Sequence, residues 1–582
     1  MKPARLGREL RLRSFYWRAY FLVTVLAAAG FALLWRAGML QLVDHGFLAS
    51  QGAARFSRVA KIAAHRGTIT DRYGEPIAVS TPVDSVWANP KELAAAIDQL
   101  PVLAKALKQD RQELERRITS NLDREFLYLS RHRQPADAQH IKALGIPGVY
   151  LSREYRRYYP SGEVAGHLLG FTNVDDAGQE GLELAFDHWL AGEDGEKRVI
   201  QDRYGRIVQD VDSIRAAKPG RDLVLSIDLR IQYLAYRELK RAIREQRALS
   251  GTAVVLDIAT GEVLAMVNQP TYNPNDRDQI NAQQYRNRAV TDIFEPGSSI
   301  KPFVVAAGLT SGKYNTRSII DTTPGYFRVG TKTIEDTHDL GRIDLATILA
   351  KSSNVGMSHL ALSLEPELIW KTLANLGFGQ VTTSGYPGES AGMLTNYSHW
   401  RPIAIATLSY GYGLSVTPLQ LAHAYATVGS MGISRPISFL RLDSEPSGHR
   451  VLDESVCRDL VGMLESVVTT EGTGMRAAIP GYRVSGKTGT AWKATVGGYA
   501  SDRFMAVFGG VAPSSNPRLA TVVVIDEPSA GLHRGGDVSA PVFSQIMGGA
   551  LRFMAVAPDQ PIGDGQTPAP VRPSEKRTVV MR

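Results

Sequence analysis

Cysteine is nearly missing. One residue, Cys457, among 582 excludes an internal disulfide and any metal site built from several thiolates. It reads as a small apolar residue on a helix. The 12 histidines include no His-Glu-x-x-His pattern, which removes the usual zinc hydrolase arrangement, and no other metal site is expected. Acidic residues are scarce at the start: Glu9 alone faces Lys2, Arg5, Arg8, Arg11, Arg13 and Arg18. Five of the eight net positive charges therefore sit in the first 18 residues, and the remainder is too nearly neutral for a nucleic-acid footprint. Charge and proline are both absent from Ala19 to Trp35, AYFLVTVLAAAGFALLW. As a helix those 17 residues span about 25 Å, the short end for a bilayer, and Arg18 and Arg36 can snorkel outward. One membrane helix is expected within 19–43. The basic flank holds residues 1–18 in the cytoplasm and sends the rest of the chain outward. A cleaved signal peptide cut near Ala27-Ala28-Ala29 is the rival reading, weakened by the apolar run that continues from Phe31 to Trp35.

The rest has the composition of a globular chain, 44% hydrophobic and 21% charged. Residues 44–220 mix short strands, helices and turns; AHRGTITDRYGEPIAVS, 64–80, reads as a β-hairpin about Asp71-Arg72-Tyr73-Gly74. No nucleophile and base pair up there, so a scaffold domain is expected. From 221 to 556 the pattern changes. VLSIDLRIQYLAYRELKRAIREQ (224–246) reads as a strand leading into an amphipathic helix, TAVVLDIATGEVLAMVNQ (252–269) as a hairpin, and strands near 503–513 and 518–528 precede a helix from about Pro541. Strands at both ends of a helical middle predict an α+β domain, an antiparallel sheet completed by distant parts of the chain and flanked by helices. Residues 557–582, rich in Pro, Asp, Gln and Gly, are expected to be disordered.

Three short stretches carry chemistry. In EPGSSIKPF, Ser298 and Lys301 are three residues apart, so a helix puts both on one face. The serine gains from the positive end of the helix, and a neutral amine could accept its proton if burial and a second cation lower the lysine pKa. Alone, the pair reads by default as a capping serine and a solvated lysine. In LAKSSNVGMSHLA, Ser352 and Asn354 interrupt two helical patterns, either as a cap or as a proton relay and an amide binder. Overlapping VSGKTGTAWK (484–493), the run Gly481 to Thr488 fits the Gly-x4-Gly-Lys-Thr phosphate loop, yet Pro480 before it and Gly489 after it fit neither a buried strand nor a helix start. An extracytoplasmic location also separates it from nucleotides. Read instead as an edge strand, Lys487, Thr488, Gly489 and Thr490 offer an ammonium, two hydroxyls and an open backbone to a carboxylate-bearing ligand.

The ordered set Ser-x-x-Lys, Ser-x-Asn 54 residues after Ser298 and Lys-Thr-Gly 189 residues after it is shared by penicillin-binding proteins and related β-lactamases. With HRGTITDRYGEPIAVSTPV, GQEGLELAFD, NQPTYNPN, FEPGSSIKPF, KSSNVG, YGYGLSVTPLQLAHAYA and SGKTGTA, the chain resembles class B penicillin-binding proteins of the division-specific type from the membrane helix to about residue 556. Trp492 departs from it, standing where members usually carry a basic residue. The resemblance implies an elongated α/β pedestal over 44–220, a transpeptidase domain over 221–556, and a periplasmic enzyme anchored in the inner membrane. It implies that Ser298 is acylated by a peptidoglycan stem peptide or a β-lactam, that Lys301 is the base with Lys487 keeping it neutral, and that Ser352 and Asn354 relay protons and hold the network. Thr488, Gly489 and Thr490 would bind the substrate terminus, with Tyr412 and Phe504 lining the cleft and the N–H groups of Ser298 and Thr490 as the oxyanion hole. No cofactor, nucleotide or nucleic acid is implied. The implied partners are a membrane glycan polymerase of the shape, elongation, division and sporulation group and division regulators. An elongation-type or specialised paralogue, a β-lactam sensor or hydrolase, and a non-catalytic division scaffold remain the alternatives at this point.

Overall fold

The computed structural model describes residues 6–44, 46–47, 57–201, 207–277, 282–495 and 498–561. The tail expected to be disordered lies outside them from residue 562 onward. Helix α1 (Leu6–Gly38) continues into a π-helical turn, Met39–Val43. Its stretch Tyr16–Val43 is long and apolar enough to cross a membrane, with none of it buried inside the protein. A 28-residue apolar helix that finds no protein to cover it has the length and composition of a single-pass membrane anchor.

The chain forms two compact units that are not consecutive in sequence: residues 1–64, 82–155 and 193–218 make the first, and 65–81, 156–192 and 219–582 the second. Two stretches from within the expected 44–220 region thus group with the second unit. In the first, Ser57–Ile62, Gly195–Gln201 and Ile207–Arg215 form a three-stranded antiparallel sheet. A separate small core of Val86, Leu93, Leu103, Leu107, Leu114, Ile118, Leu129 and Ile141 closes under short helices such as Leu100–Leu107 and Arg111–Thr119.

In the second unit the hairpin read at 64–80 is present. Ile69 pairs with Ala78 and Thr70 with Pro76, and the Asp71 carboxylate accepts from the N–H groups of Tyr73 and Glu75 to close the turn. Beside it lies a buried ionic cluster. Glu183, fully buried, accepts from Arg66 Nε at 2.8 Å and from Arg157 Nε at 2.6 Å, while Arg66 also reaches Asp187 at 2.7 Å. Two guanidinium groups removed from water are tolerable here only because the carboxylates stand between them.

The main sheet runs in the spatial order β2 (Val263–Gln269), β1 (Ser250–Asp257), β5 (Leu519–Asp526), β4 (Gly498–Ala512), β3 (Ser485–Thr495), antiparallel throughout. Because the side-chain period of a strand is two, β1 sends Val254 and Leu256 to one face and Ala253 and Val255 to the other; β5 divides Val522 and Val524 from Val523 and Ile525 in the same way. Both faces are covered, which is why these strands read as unbroken apolar runs. One cover is α2 (Leu229–Glu245), capped by Asp228, with the C-terminal helix Gly535–Phe553. The other holds α3 (Lys301–Thr310) and the helix Pro418–Gly429, which starts with a Thr417/Gln420 capping box. Strand β3 is an edge, as its glycine and hydroxyl content predicts.

Phe543 packs against Phe508 with ring centroids 4.6 Å apart in a fully buried setting. Phe543→Ala is expected to cost about 3–5 kcal/mol, read as a lowered denaturation midpoint of the detergent-solubilised protein. Glu183→Gln is expected to destabilise on a similar scale, about 3–5 kcal/mol, by leaving two buried arginines without their shared anion.

Candidate active site

Ser298 sits in a 3-10 turn, Gly297–Ile300, that feeds directly into α3 at Lys301. The expected helix begins in this tighter form because Gly297 has φ +53° and Gly489 lets β3 pass beneath the turn. A Cβ on Gly489 would lie 2.7 Å from Pro296 O. Ser298 is half-exposed, and its hydroxyl has no hydrogen-bond partner among the described residues.

Lys301 is fully buried. Its Nζ lies 2.6 Å from Ser352 O, 3.2 Å from Ser352 Oγ, 3.1 Å from Ser353 O and 2.8 Å from Asn354 Oδ1. Lys487, also fully buried, sends Nζ to Ser352 Oγ at 3.1 Å and to Thr488 O and Oγ1 at 3.1 and 3.2 Å. The Ser352 hydroxyl therefore bridges the two amines. Three residues that lie far apart in sequence meet through it.

Local structure places that hydroxyl. Helix α4 (Leu345–Lys351) ends at Ser352, whose φ of +61° is the left-handed conformation unusual for a residue with a Cβ. Helix α5 (Asn354–Leu362) restarts two residues later, with Ser353 Oγ accepting from Gly356 N at 2.8 Å. The Ser-x-Asn pattern is thus a break between two helices, and both of its readings, cap and functional loop, describe it. Asp336 secures the break by accepting from Asn354 N, from Val355 N at 3.1 Å and from Ser353 Oγ.

Burial, more than charge, holds Lys301 well below the ordinary lysine pKa; repulsion from Lys487 comes second, and Asp336 opposes both. Burial and a second cation are the two causes expected from the sequence, and burial is the larger. Lys487 is itself pushed down to about 7 by burial, so it carries only part of a charge near neutral pH. The three oxygens around Lys301 Nζ other than Ser352 Oγ favour the cation. A neutral amine still has two N–H groups to donate, so these contacts are compatible with a depressed pKa.

The remaining expected residues fall around this core. Thr488 Oγ1 pairs with Thr473 Oγ1 at 2.8 Å, and Thr490 Oγ1 accepts from Gly535 N at 3.1 Å at the start of the C-terminal helix. Trp492 N donates to Tyr412 OH at 3.2 Å, outward from the sheet edge. By the alternation of an antiparallel strand, Thr490 N–H points to that same edge. Tyr412 thus lines the edge of β3, whereas Phe504 lies opposite Trp492 on β4 and stacks on His533 at 4.2 Å. Three further residues belong to the setting and had no signal in spacing: Asp336, Thr473 and Glu295. Glu295 alone could have been noticed, since it opens the quoted EPGSSIKPF. No group of His, Cys, Asp and Glu suited to a metal occurs among the described residues.

The chain matches the penicillin binding protein transpeptidase domain over residues 251–548 and the penicillin-binding protein dimerisation domain over 61–225. It is 46% identical over 563 residues to the peptidoglycan D,D-transpeptidase FtsI of Escherichia coli (strain K12), covering 96% of this chain and 95% of that one. A probable peptidoglycan D,D-transpeptidase, PbpC of Pseudomonas aeruginosa, is 42% identical over 546 residues, covering 93% and 96%. Among solved structures, the transpeptidase domain of penicillin-binding protein 3 from Burkholderia pseudomallei superposes with a TM-score of 0.54 at 41% identity, covering 58% of this chain and 98% of that one.

The depressed pKa of Lys487 fixes the sign of a stability effect. The unfolded chain protonates this amine below about 10.4 and the folded chain only below about 7, so stability falls as pH drops through that window and the loss is constant beneath it. Relative to wild type, Lys487→Met should therefore gain stability on going from pH 10 to pH 7, by an amount on the order of a few kcal/mol. Paired thermal denaturation at the two pH values measures it.

Proposed function

The chain belongs to the class B penicillin-binding proteins, and on that premise we propose how its residues divide the work of the reaction. It is a peptidoglycan D,D-transpeptidase that crosslinks stem peptides in septal wall synthesis through a serine acyl-enzyme, the step that β-lactams block. Ser298 Oγ gives its proton to the neutral Lys301 amine and attacks the carbonyl between the last two D-alanines. The N–H groups of Ser298 and Thr490 receive the developing oxyanion, a contribution of about 3–4 kcal/mol per donor. As the C–N bond breaks, Ser352 Oγ delivers a proton to the departing D-alanine amine, replenished from Lys301 or Lys487. An amine of a second stem peptide then attacks the ester, the C–O bond breaks, and Ser298 recovers its proton. Asn354 orients Lys301, while Thr488 and Thr490, with Gly489 opening the backbone, take the terminal carboxylate; Tyr412 and Phe504 border the cleft.

The observation that carries this reading is the single hydroxyl of Ser352 held within 3.2 Å of both buried amines. A capping serine and a solvated lysine would need neither the burial nor the bridge.

The apolar N-terminal helix serves as a single-pass anchor. We further propose that residues 1–18 stay in the cytoplasm and that the domains after residue 43 face the periplasm, as the basic flank dictates. In this reading 44–220 is a pedestal and 221–556 the transpeptidase domain. The pedestal and helix would dock a glycan polymerase of the shape, elongation, division and sporulation group and division regulators; affinity capture on the full-length chain, with residues 1–220 present, that recovers no such polymerase would remove that part.

Incubation with labelled benzylpenicillin should give a long-lived adduct by intact mass on wild type and none on Ser298→Ala. Rapid turnover of the antibiotic would instead indicate a hydrolase. Lys301→Met should slow acylation by about 10²–10⁴-fold. Wild-type acylation should also fall as pH is lowered and Lys301 takes up its proton, and this acid limb should vanish in Lys301→Met.

A further inference from the structure

The solvent face of α2 is a row of cations. Arg230, Tyr233, Arg237, Arg241 and Arg244 follow one another at steps of three and four residues, all exposed, with Lys240 beside them and exposed Arg247 just past the helix end. The carboxylates that answer them lie mostly beneath the surface. Asp228 and Glu238 are buried, the first paired with Arg230 at 2.6 Å and the second with Arg237 at 2.8 Å and Arg241 at 2.5 Å. Glu163 holds Lys240 at 2.7 Å, and exposed Glu245 stands 3.9 Å from Arg241. Arg244 and Arg247 have no carboxylate partner among the described residues. Four carboxylates thus face six cations, and what reaches solvent is chiefly guanidinium. Tyr236, Arg237, Lys240, Arg241, Arg244 and Glu245 line an open depression of about 380 Å³ along this row.

The layout of the charges says what kind of anion they suit. Arg230 and Arg244 lie about 21 Å apart along the helix axis, so the donors do not converge on one point as a single small anion requires. A chain bearing anions at intervals matches them. A bilayer surface matches less well, because a helix lying on lipid buries its apolar side there, whereas Ile231, Ala235, Leu239 and Ala242 of α2 are spent on the sheet. That side of the sheet is the one opposite α3 and Lys301, so a chain held on α2 is not held by the reacting groups. A peptidoglycan strand is such a chain, since each uncrosslinked stem peptide ends in a free carboxylate. Resting on the transpeptidase reading above, we propose that the arginine face of α2 binds the carboxylates of stem peptides other than the one at Ser298, keeping the enzyme on the wall while the opposite side of the domain reacts.

The test uses the full-length protein in phosphatidylcholine nanodiscs, with Ser298 first acylated by benzylpenicillin to close the cleft, sedimented with purified sacculi. Wild type should co-sediment at about 50 mM salt, and retention should fall several-fold at about 300 mM. Arg244→Glu combined with Arg247→Glu, which breaks no ion pair, should lower the bound fraction about tenfold and leave the rate of penicillin acylation unchanged. Capping the sacculus carboxylates as methylamides should lower wild-type retention as far. No retention of wild type, equal retention of wild type and variant, or equal retention on capped and native sacculi would each overturn the inference, while the penicillin adduct still supported the serine chemistry. So would capture by phosphatidylglycerol vesicles and not by sacculi, the sign of a lipid surface. No adduct on wild type would remove the serine chemistry and, with it, the reason to place a wall strand on α2. Should the double variant fail to fold, Arg244→Ala, with an expected loss of about threefold, decides in its place.

Discussion

Two lysine amines taken wholly out of water are the constraint around which the second unit is organised. Burying either as a cation is costly, and each relieves the cost by giving up its proton more readily. A buried amine without its proton is a base, and this one stands three residues from a serine. The reactive character of the site is thus a consequence of where the chain places Lys301 and Lys487. What the protein must supply is a cavity that is dry yet offers acceptors for the protons that remain.

That cavity is assembled from parts that are each locally ordinary. A 3-10 turn holds Ser298, a helix break holds Ser352, and a sheet edge holds Lys487. Their mutual distances depend on packing between layers. Gly489 allows strand and turn to approach, and Tyr425 OH, from the helix Pro418–Gly429, donates to Ser299 O at 3.0 Å to hold the turn from the other side. Asp336 fixes the helix break by accepting from two backbone N–H groups. The strained backbone at Ser352 persists because these neighbours determine it from several directions.

The same edge strand that carries Lys487 also carries Thr490 and Trp492, so the three share one rigid element. With both faces of the sheet filled by apolar side chains, β3 has little freedom to shift its register, since a slip of one residue would turn Lys487 away from Ser352. Precision at the site is inherited from the core.

Much of this was readable in the letters. The uncharged run from Ala19 to Trp35 has the composition of a membrane helix, and the β-branched runs at 252–269 and 518–528 favour strands. Of the residues picked out by order and spacing, Lys301, Ser352, Asn354 and Lys487 come into direct contact. Tertiary structure alone decided three things. It set burial, and not the neighbouring cation, as the leading influence on Lys301, because solvent exclusion depends on every layer around a residue. It brought in Asp336, Thr473 and Glu295, whose partners lie tens to hundreds of residues away. It also divided the chain into two units that interleave in sequence, since compactness follows contacts and not chain order.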